Sequence, residues 1–358
     1  MTRSLIVHLG DHKTGSTSIQ QALAGQHFQS PKCKILFPRL QKGLVHHNNI
    51  VWSLIRPKQA EKRLPQFTAL EQVIRESDAD AAVFSAENLE RVPPKVLRKT
   101  LEETMPDLLE DARLLVYVRP HAERLISSYA ERIKQGLFMG SLLEFFEETR
   151  EAGEFFYLGR LKRWAKVFPG QLTVRPMIRS ELHKGDVVED FFRFVTQGKP
   201  VKLKARPETN EKLCIEDLSI LLELQKYVKH LNRPSEPVRS LGWRVGRMLA
   251  ASREIPGTPL GLDADLAAQV QGCYSEDARM MDEMFFDGTP LSDRLAAAVQ
   301  QATPETRPVG IEHHFDADTT ALIRAWLELI TRIYEVDPEG WRPYFQKAPL
   351  IIHNAAKV

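Results

Sequence analysis

The chain predicts an α/β protein with a central parallel sheet, helices on both faces of that sheet, and a helical C-terminal part. Three observations carry this prediction. Apolar runs of strand length occur at residues 5–9, 81–86, 114–118 and 171–177, and stretches of helical period separate them. That alternation is the pattern of a sheet whose parallel strands are joined by crossover helices. From residue 213 the strand pattern stops and only helical segments follow, at 213–231, 241–253, 263–285, 291–302 and 316–335. Residues 1–212 are therefore expected to form the core, and 213–358 a helical part that completes and extends it.

In chain order, Leu5, Ile6, Val7 and Leu9 read as a buried strand that Gly10 ends, and Ile19, Ala22 and Leu23 mark one face of a helix beyond Thr17. Residues 32–40 form a short apolar segment closed by Pro38, and Ile50, Val51, Leu54 and Ile55 suit a helix with His46 and His47 at its start. Taken by itself, each of these histidines reads as a surface or capping residue. A second strand spans 81–86 and Glu87 follows it directly, where ligands of parallel sheets sit. A carboxylate there is either a solvated turn residue or a base toward an acceptor hydroxyl. Pro93 and Pro94 open a helix through Met105. Residues 114–118 form a third strand with Arg119 at its end, and Pro120 begins a helix that Gly136 closes. The stretch 141–168 is helical, 171–177 is a strand, and 178–195 is a turn and a helix with Phe191, Phe192, Phe194 and Val195 on its apolar side. Residues 199–212 make a basic, proline-marked loop.

The loop between the first strand and helix carries the most chemistry. Gly10 and Gly15 bracket it, and Lys13, Thr14, Ser16, Thr17 and Ser18 surround the start of the helix. Free N–H groups and the positive end of a helix converge there, so the loop is built for an anion. A nucleotide-binding loop of the G-x-x-x-x-G-K-[ST] type places lysine directly after its second glycine. Here Ser16 occupies that position and Lys13 stands mid-loop, which suits a phosphosulfate better than a magnesium triphosphate.

The stretch from His12 to Gln20, His-Lys-Thr-Gly-Ser-Thr-Ser-Ile-Gln, closely resembles the 5′-phosphosulfate-binding loop of bacterial sulfotransferases that use 3′-phosphoadenosine 5′-phosphosulfate (PAPS). The strand-Arg119-Pro120 segment with Ser127 eight residues on resembles their 3′-phosphate-binding segment, the arginine as a planar fork and the serine as a hydroxyl donor. Residues 274–285 resemble the closing helix of that family. The resemblance implies a P-loop-like fold that holds PAPS through His12, Lys13, Thr14, Gly15, Ser16, Thr17, Ser18, Arg119 and Ser127. It further implies sulfuryl transfer to a hydroxyl or amine, with 3′-phosphoadenosine 5′-phosphate (PAP) as product. Lys13 would neutralise the bridging oxygen, and Glu87, His46 or His47 would be the base. Sulfotransferases often complete the pocket with a late basic loop, which makes Lys202, Lys204 and Arg206 candidates, while the segment by itself reads first as a solvated linker. Family likeness alone suggests a glycan or lipid-linked sugar as acceptor. The glycine-rich 3′-phosphate loop of cytosolic animal sulfotransferases is lacking. A P-loop kinase fits less well, since Ser16 replaces the lysine; a non-catalytic nucleotide-binding module is the other rival.

Composition sets outer bounds. With 49 basic and 47 acidic residues among 358, the net charge is +2, so no global field draws in nucleic acid or an anionic membrane. No apolar run approaches transmembrane length and the N-terminus lacks a signal-peptide core, so a cytoplasmic location is expected. Cys33, Cys214 and Cys273 are too scattered for disulfides or a zinc site. No metal is expected.

Overall fold

The computed structural model describes residues 4–204, 213–229 and 235–337, with backbone only for 235–240. Residues 205–212, with Arg206 and the end of the predicted core, lie outside it, as do 230–234 and 338–358. In chain order the elements are β1 (Ser4–Leu9), α1 (Ser16–Ala24), β2 (Phe28–Gln29), β3 (Ile35–Leu36), α2 (Asn48–Ile55), α3 (Arg63–Arg75), β4 (Ala81–Ala86), α4 (Pro94–Thr104), α5 (Pro106–Leu109), β5 (Arg113–Val118), α6 (His121–Lys134) and α7 (Leu142–Glu151). There follow α8 (Leu158–Val167), β6 (Leu172–Pro176), α9 (Val187–Val195), β7 (Lys202–Leu203), α10 (Ile215–Lys229), α11 (Ser235–Ser252), α12 (Ala264–Phe285), α13 (Pro290–Gln300) and α14 (Ala317–Val336). They fall into two compact units, each assembled from separate stretches of chain.

The first unit comprises residues 1–121, 156–207 and 274–295. Its centre is a five-stranded parallel sheet in the order β3-β4-β1-β5-β6. Side chains alternate across each strand, so neighbouring residues serve opposite layers. Ile6, Val83, Leu115 and Tyr117 face Ile19, Ala22 and Leu23 of α1 and Val188, Phe191 and Phe192 of α9. On the other face Leu5, Val7 and Phe84 meet Phe67, Leu70 and Ile74 of α3 and Leu97 and Leu101 of α4. This is the three-layer arrangement expected from the strand-helix alternation. Arg113, at the start of β5, donates to the carbonyls of Phe194 and Val195 (2.8 and 2.9 Å) and so caps the negative end of α9. The predicted helix over 141–168 is two helices: Gly153 and Phe155 both adopt positive φ (65° and 69°) and break it.

The second unit comprises residues 122–155, 208–273 and 296–358. It is helical among the described residues, with α10 packed on α11 and α14. Tyr129 and Phe138 pack around Phe145 of α7, whose N-terminus is closed by a reciprocal box between Ser141 and Glu144. Glu223 of α10 accepts from Arg324 of α14 at 2.8 Å. No helix among the described residues is long and apolar enough to cross a membrane.

Candidate functional site

The carboxyl ends of β4, β1 and β5 lie side by side. From β1 the chain first builds β3 and β4 on one side and then crosses to β5 on the other, so the order reverses at β1 and a crevice opens beyond the strand ends. The loop from Gly10 to Gly15 fills this place. Gly10 N–H donates to Ala86 O (3.2 Å), which ties the loop to the end of β4, and Thr14 Oγ1 donates to Asp11 O at 2.7 Å. Lys13 sits in the left-handed region at φ 64°, a conformation that an L-residue holds only when its surroundings enforce it. Gly15 also has positive φ (79°), and a Cβ there would lie 2.7 Å from Val187 Cγ1. Both facts require glycine. As the N-cap of α1, Gly15 brings no side chain to cap the first-turn N–H groups, which leaves the helix end suited to an external anion.

The loop is braced from α8 and β5. Arg160 sets both terminal guanidinium nitrogens on the carboxylate of Asp11, Nη1 at 2.9 Å from Oδ1 and Nη2 against Oδ2. Asp11 is fully buried, and Arg160 is a further positive charge beside Glu90. Glu90 in turn accepts the His12 N–H at 3.3 Å. Arg119, directly after β5, donates from Nη1 to Lys13 O at 3.0 Å, and its own carbonyl accepts Tyr157 O–H at 2.7 Å. Asp277 accepts the N–H groups of Tyr157 and Leu158 (2.9 and 3.0 Å) and pairs with His121 Nε2 at 3.0 Å. These bonds from the positive end of α8 and from His121 hold the Asp277 carboxyl below the usual carboxylate range against the effect of its burial.

Glu87 opens the short 3-10 turn that follows β4. Ser16 Oγ donates to its Oε1 at 2.5 Å, and Oε2 lies 3.6 Å from His12 Nδ1. The neighbouring Asn88 N–H donates to Asn48 Oδ1 at 3.1 Å, which fixes the turn against the start of α2. The structure thus groups Ser16, Glu87 and His12 at the loop that carries Lys13, with Arg119 braced on the same loop.

Other expected residues are placed differently. His47 is buried, with Ser85 N–H donating to Nδ1 (3.0 Å) and Nε2 donating to Pro38 O (2.6 Å). Both ring nitrogens are committed to backbone, and burial lowers its pKa to about 4. The expectation of His47 as a base is therefore corrected: its ring spans two backbone segments and turns neither nitrogen to an acceptor substrate. His46 is half-buried just before α2. Thr14 is buried with its hydroxyl turned inward to Asp11, so it shapes the loop instead of lining it. Thr17 is exposed and Ser18 half-buried on the first turn of α1. Ser127 is half-buried on α6 and belongs to the second unit. Lys202 lies in β7, paired with β2, and Lys204 N–H donates to His27 O, beyond the C-terminal end of α1. A nine-residue helix is about 13 Å long, so these lysines stand at the end of α1 away from the loop and do not line it.

Asp11, Arg160, Glu90 and Tyr157 were not singled out by the sequence. One signal was available: an acidic residue inside an anion-binding loop is unfavourable unless a cation neutralises it. Nothing local pointed to Arg160 as that cation.

No known family's sequence profile matches the chain, and no curated protein matches it. Among solved structures, the crystal structure of a sulfotransferase from Alicyclobacillus acidocaldarius is similar at 15% identity and a TM-score of 0.42, over 81% of this chain and 99% of that one. At that level the likeness bears no weight, and function is read from the residues of the site.

Proposed function

We propose that the protein transfers the sulfuryl group of PAPS to a hydroxyl or amine of an acceptor, with Glu87 as the base. The observation that supports this most is the 2.5 Å bond between Ser16, the first residue of the helix after the anion loop, and Glu87 at the end of the adjacent strand. It sets a carboxylate against the site of an anionic leaving group, where an attacking hydroxyl would lose its proton. The residues present fit PAPS. The loop N–H groups with Ser16 and Thr17 suit its 5′-phosphosulfate, and Arg119, at the end of β5, suits its 3′-phosphate. When bound, PAPS supplies an activated sulfuryl group on a phosphate leaving group.

The chain's own residues act as follows. Lys13, held at the loop's midpoint in a left-handed conformation, presents its ammonium to negative charge that grows on the leaving oxygen. Glu87 takes the proton of the acceptor, and His12 lies beside its second oxygen. Arg160 and Tyr157 keep Asp11 and Arg119 in place, so the cradle is formed in advance. The acceptor class we favour is a glycan or lipid-linked sugar, and the protein would act in the cytoplasm.

Incubation of the full chain with sulfur-labelled PAPS and a panel of hydroxyl and amine acceptors tests this reading. Label should pass to an acceptor in wild type and not in Glu87→Gln. Label that stays on PAPS throughout the panel while PAP still binds would leave the protein a nucleotide-binding module.

A further inference from the structure

Ser16 belongs to two parts of the site at once. Its backbone opens α1 at the anion loop, and its hydroxyl donates to Glu87 Oε1 at 2.5 Å. A serine hydroxyl carries a single proton, so it can donate to the carboxylate or to an anion in the loop, but not to both.

We propose that Ser16 is a positioning residue that couples occupancy of the loop to protonation of Glu87. Resting on the PAPS reading, this gives the donor substrate control of the base. In the free protein Ser16 holds Glu87 by donating to Oε1. A phosphosulfate or phosphate in the loop is the stronger acceptor, being fully charged and set at the helix N-terminus. Ser16 turns its proton to that anion, and the carboxylate loses its donor just as negative charge arrives nearby. Both changes favour the protonated form of a carboxylic acid. Glu87 therefore becomes a stronger proton acceptor once the donor substrate is in place. In transfer, the acceptor oxygen forms the new S–O bond, the old S–O bond gives its electron pair to the leaving phosphate, and the acceptor proton passes to Glu87.

Other groups face Glu87 and must be separated from it. His12 Nδ1 stands 3.6 Å from Oε2 on the loop side. Glu90 lies on the same turn and accepts His12 N–H, and Arg160 from α8 is the cation beside Glu90 and Asp11. Lys13 and Arg119 are the remaining charges of the loop. Of these, His12 is the one that stands against the Glu87 carboxylate itself, so its contribution is removed by substitution.

Calorimetric titration of PAP into the full chain, near pH 5 in two buffers of different ionisation enthalpy, reads the protons taken up on binding. Free PAP is the same in every titration, so differences between variants report the bound complexes. Wild type should take up more protons than Glu87→Gln, and Ser16→Ala should fall clearly between the two. The wild-type excess should persist in a His12→Gln background. Correspondingly, the gain in PAP affinity from pH 7 to 5 should be about three- to tenfold larger in wild type than in Glu87→Gln. Equal uptake by wild type and Ser16→Ala overturns the coupling, as does equal uptake by wild type and Glu87→Gln. Failure of wild type to bind PAP overturns the sulfotransferase reading itself, a result distinct from binding without Ser16-dependent uptake.

Discussion

Arg160 and Asp11, 149 residues apart in sequence, form a two-pronged ion pair beneath the anion loop, with 14% and 0% of their side chains exposed. Removing one partner leaves the other charge buried and uncompensated, which costs about 3 to 5 kcal/mol. Arg160→Met and Asp11→Leu should each lose stability on that scale in chemical denaturation. The double variant should lose much less than the two losses combined, because it buries no lone charge. Single variants within about 1 kcal/mol of wild type would show that the pair does not hold the loop.

Gly15 and Gly153 both have positive φ (79° and 65°), but only at Gly15 does an added Cβ meet a neighbour, Val187 Cγ1 at 2.7 Å; none lies within 4 Å at Gly153. Gly15→Ala should therefore cost about 2 to 4 kcal/mol, combining backbone strain and overpacking, and should weaken PAP binding. Gly153→Ala should cost about 1 kcal/mol and leave PAP binding unchanged. Equal losses would mean that contact with α9 does not fix the loop.

Burial lowers the pKa of His8 to about 3 and of His47 to about 4, from an ordinary 6.5. The unfolded chain binds these protons at a higher pH than the folded one. Stability is thus fully present above about pH 6.5, falls as pH drops below it, and keeps falling through the folded values near 4 and 3. Each histidine contributes on the order of 3 kcal/mol to this acid loss. Urea midpoints between pH 7 and 4 should decline steadily in wild type and less steeply in His47→Gln. An unchanged slope would show that His47 is not buried in the neutral form.

In the proposed transfer Lys13 would oppose charge that accumulates only as the S–O bond breaks, and so would serve the transition state more than donor capture. Lys13→Ala should keep PAP affinity within about tenfold while transfer to a working acceptor falls by two or more orders of magnitude. Glu87→Gln should also lose rate. His47→Gln should lose stability but keep most of its rate per folded molecule, since its ring nitrogens are bound to Ser85 and Pro38. Near-normal transfer by Lys13→Ala would remove Lys13 from the chemistry.

What was legible in the sequence was local. β1, its loop and α1 are contiguous, and each states its conformation through apolar period and glycine placement. The places of Glu87 and Arg119 at strand ends were readable for the same reason, as the first polar residues after buried strands. Partnerships across the chain were not. His47 looks like any polar residue beside a helix start, and only the 38-residue return to Ser85 buries it. Arg160 lies in a helix whose visible pattern is its apolar face, Leu161 and Trp164, so its reach to Asp11 has no local signature. β2, β3 and β7 are two residues long and too short to show alternation. The two units interleave segments of the chain, an arrangement that composition along the sequence does not register.

Binding of PAP compared with ATP and magnesium tests the central claim most directly, because it needs no knowledge of the acceptor. PAP should raise the melting temperature of the full chain, ATP with magnesium should not, and Arg119→Ala should weaken PAP binding by about 2 to 4 kcal/mol, the scale of a lost charge-assisted contact with phosphate. Equal stabilisation by both nucleotides, or PAP affinity unchanged in Arg119→Ala, would contradict a site built for PAPS.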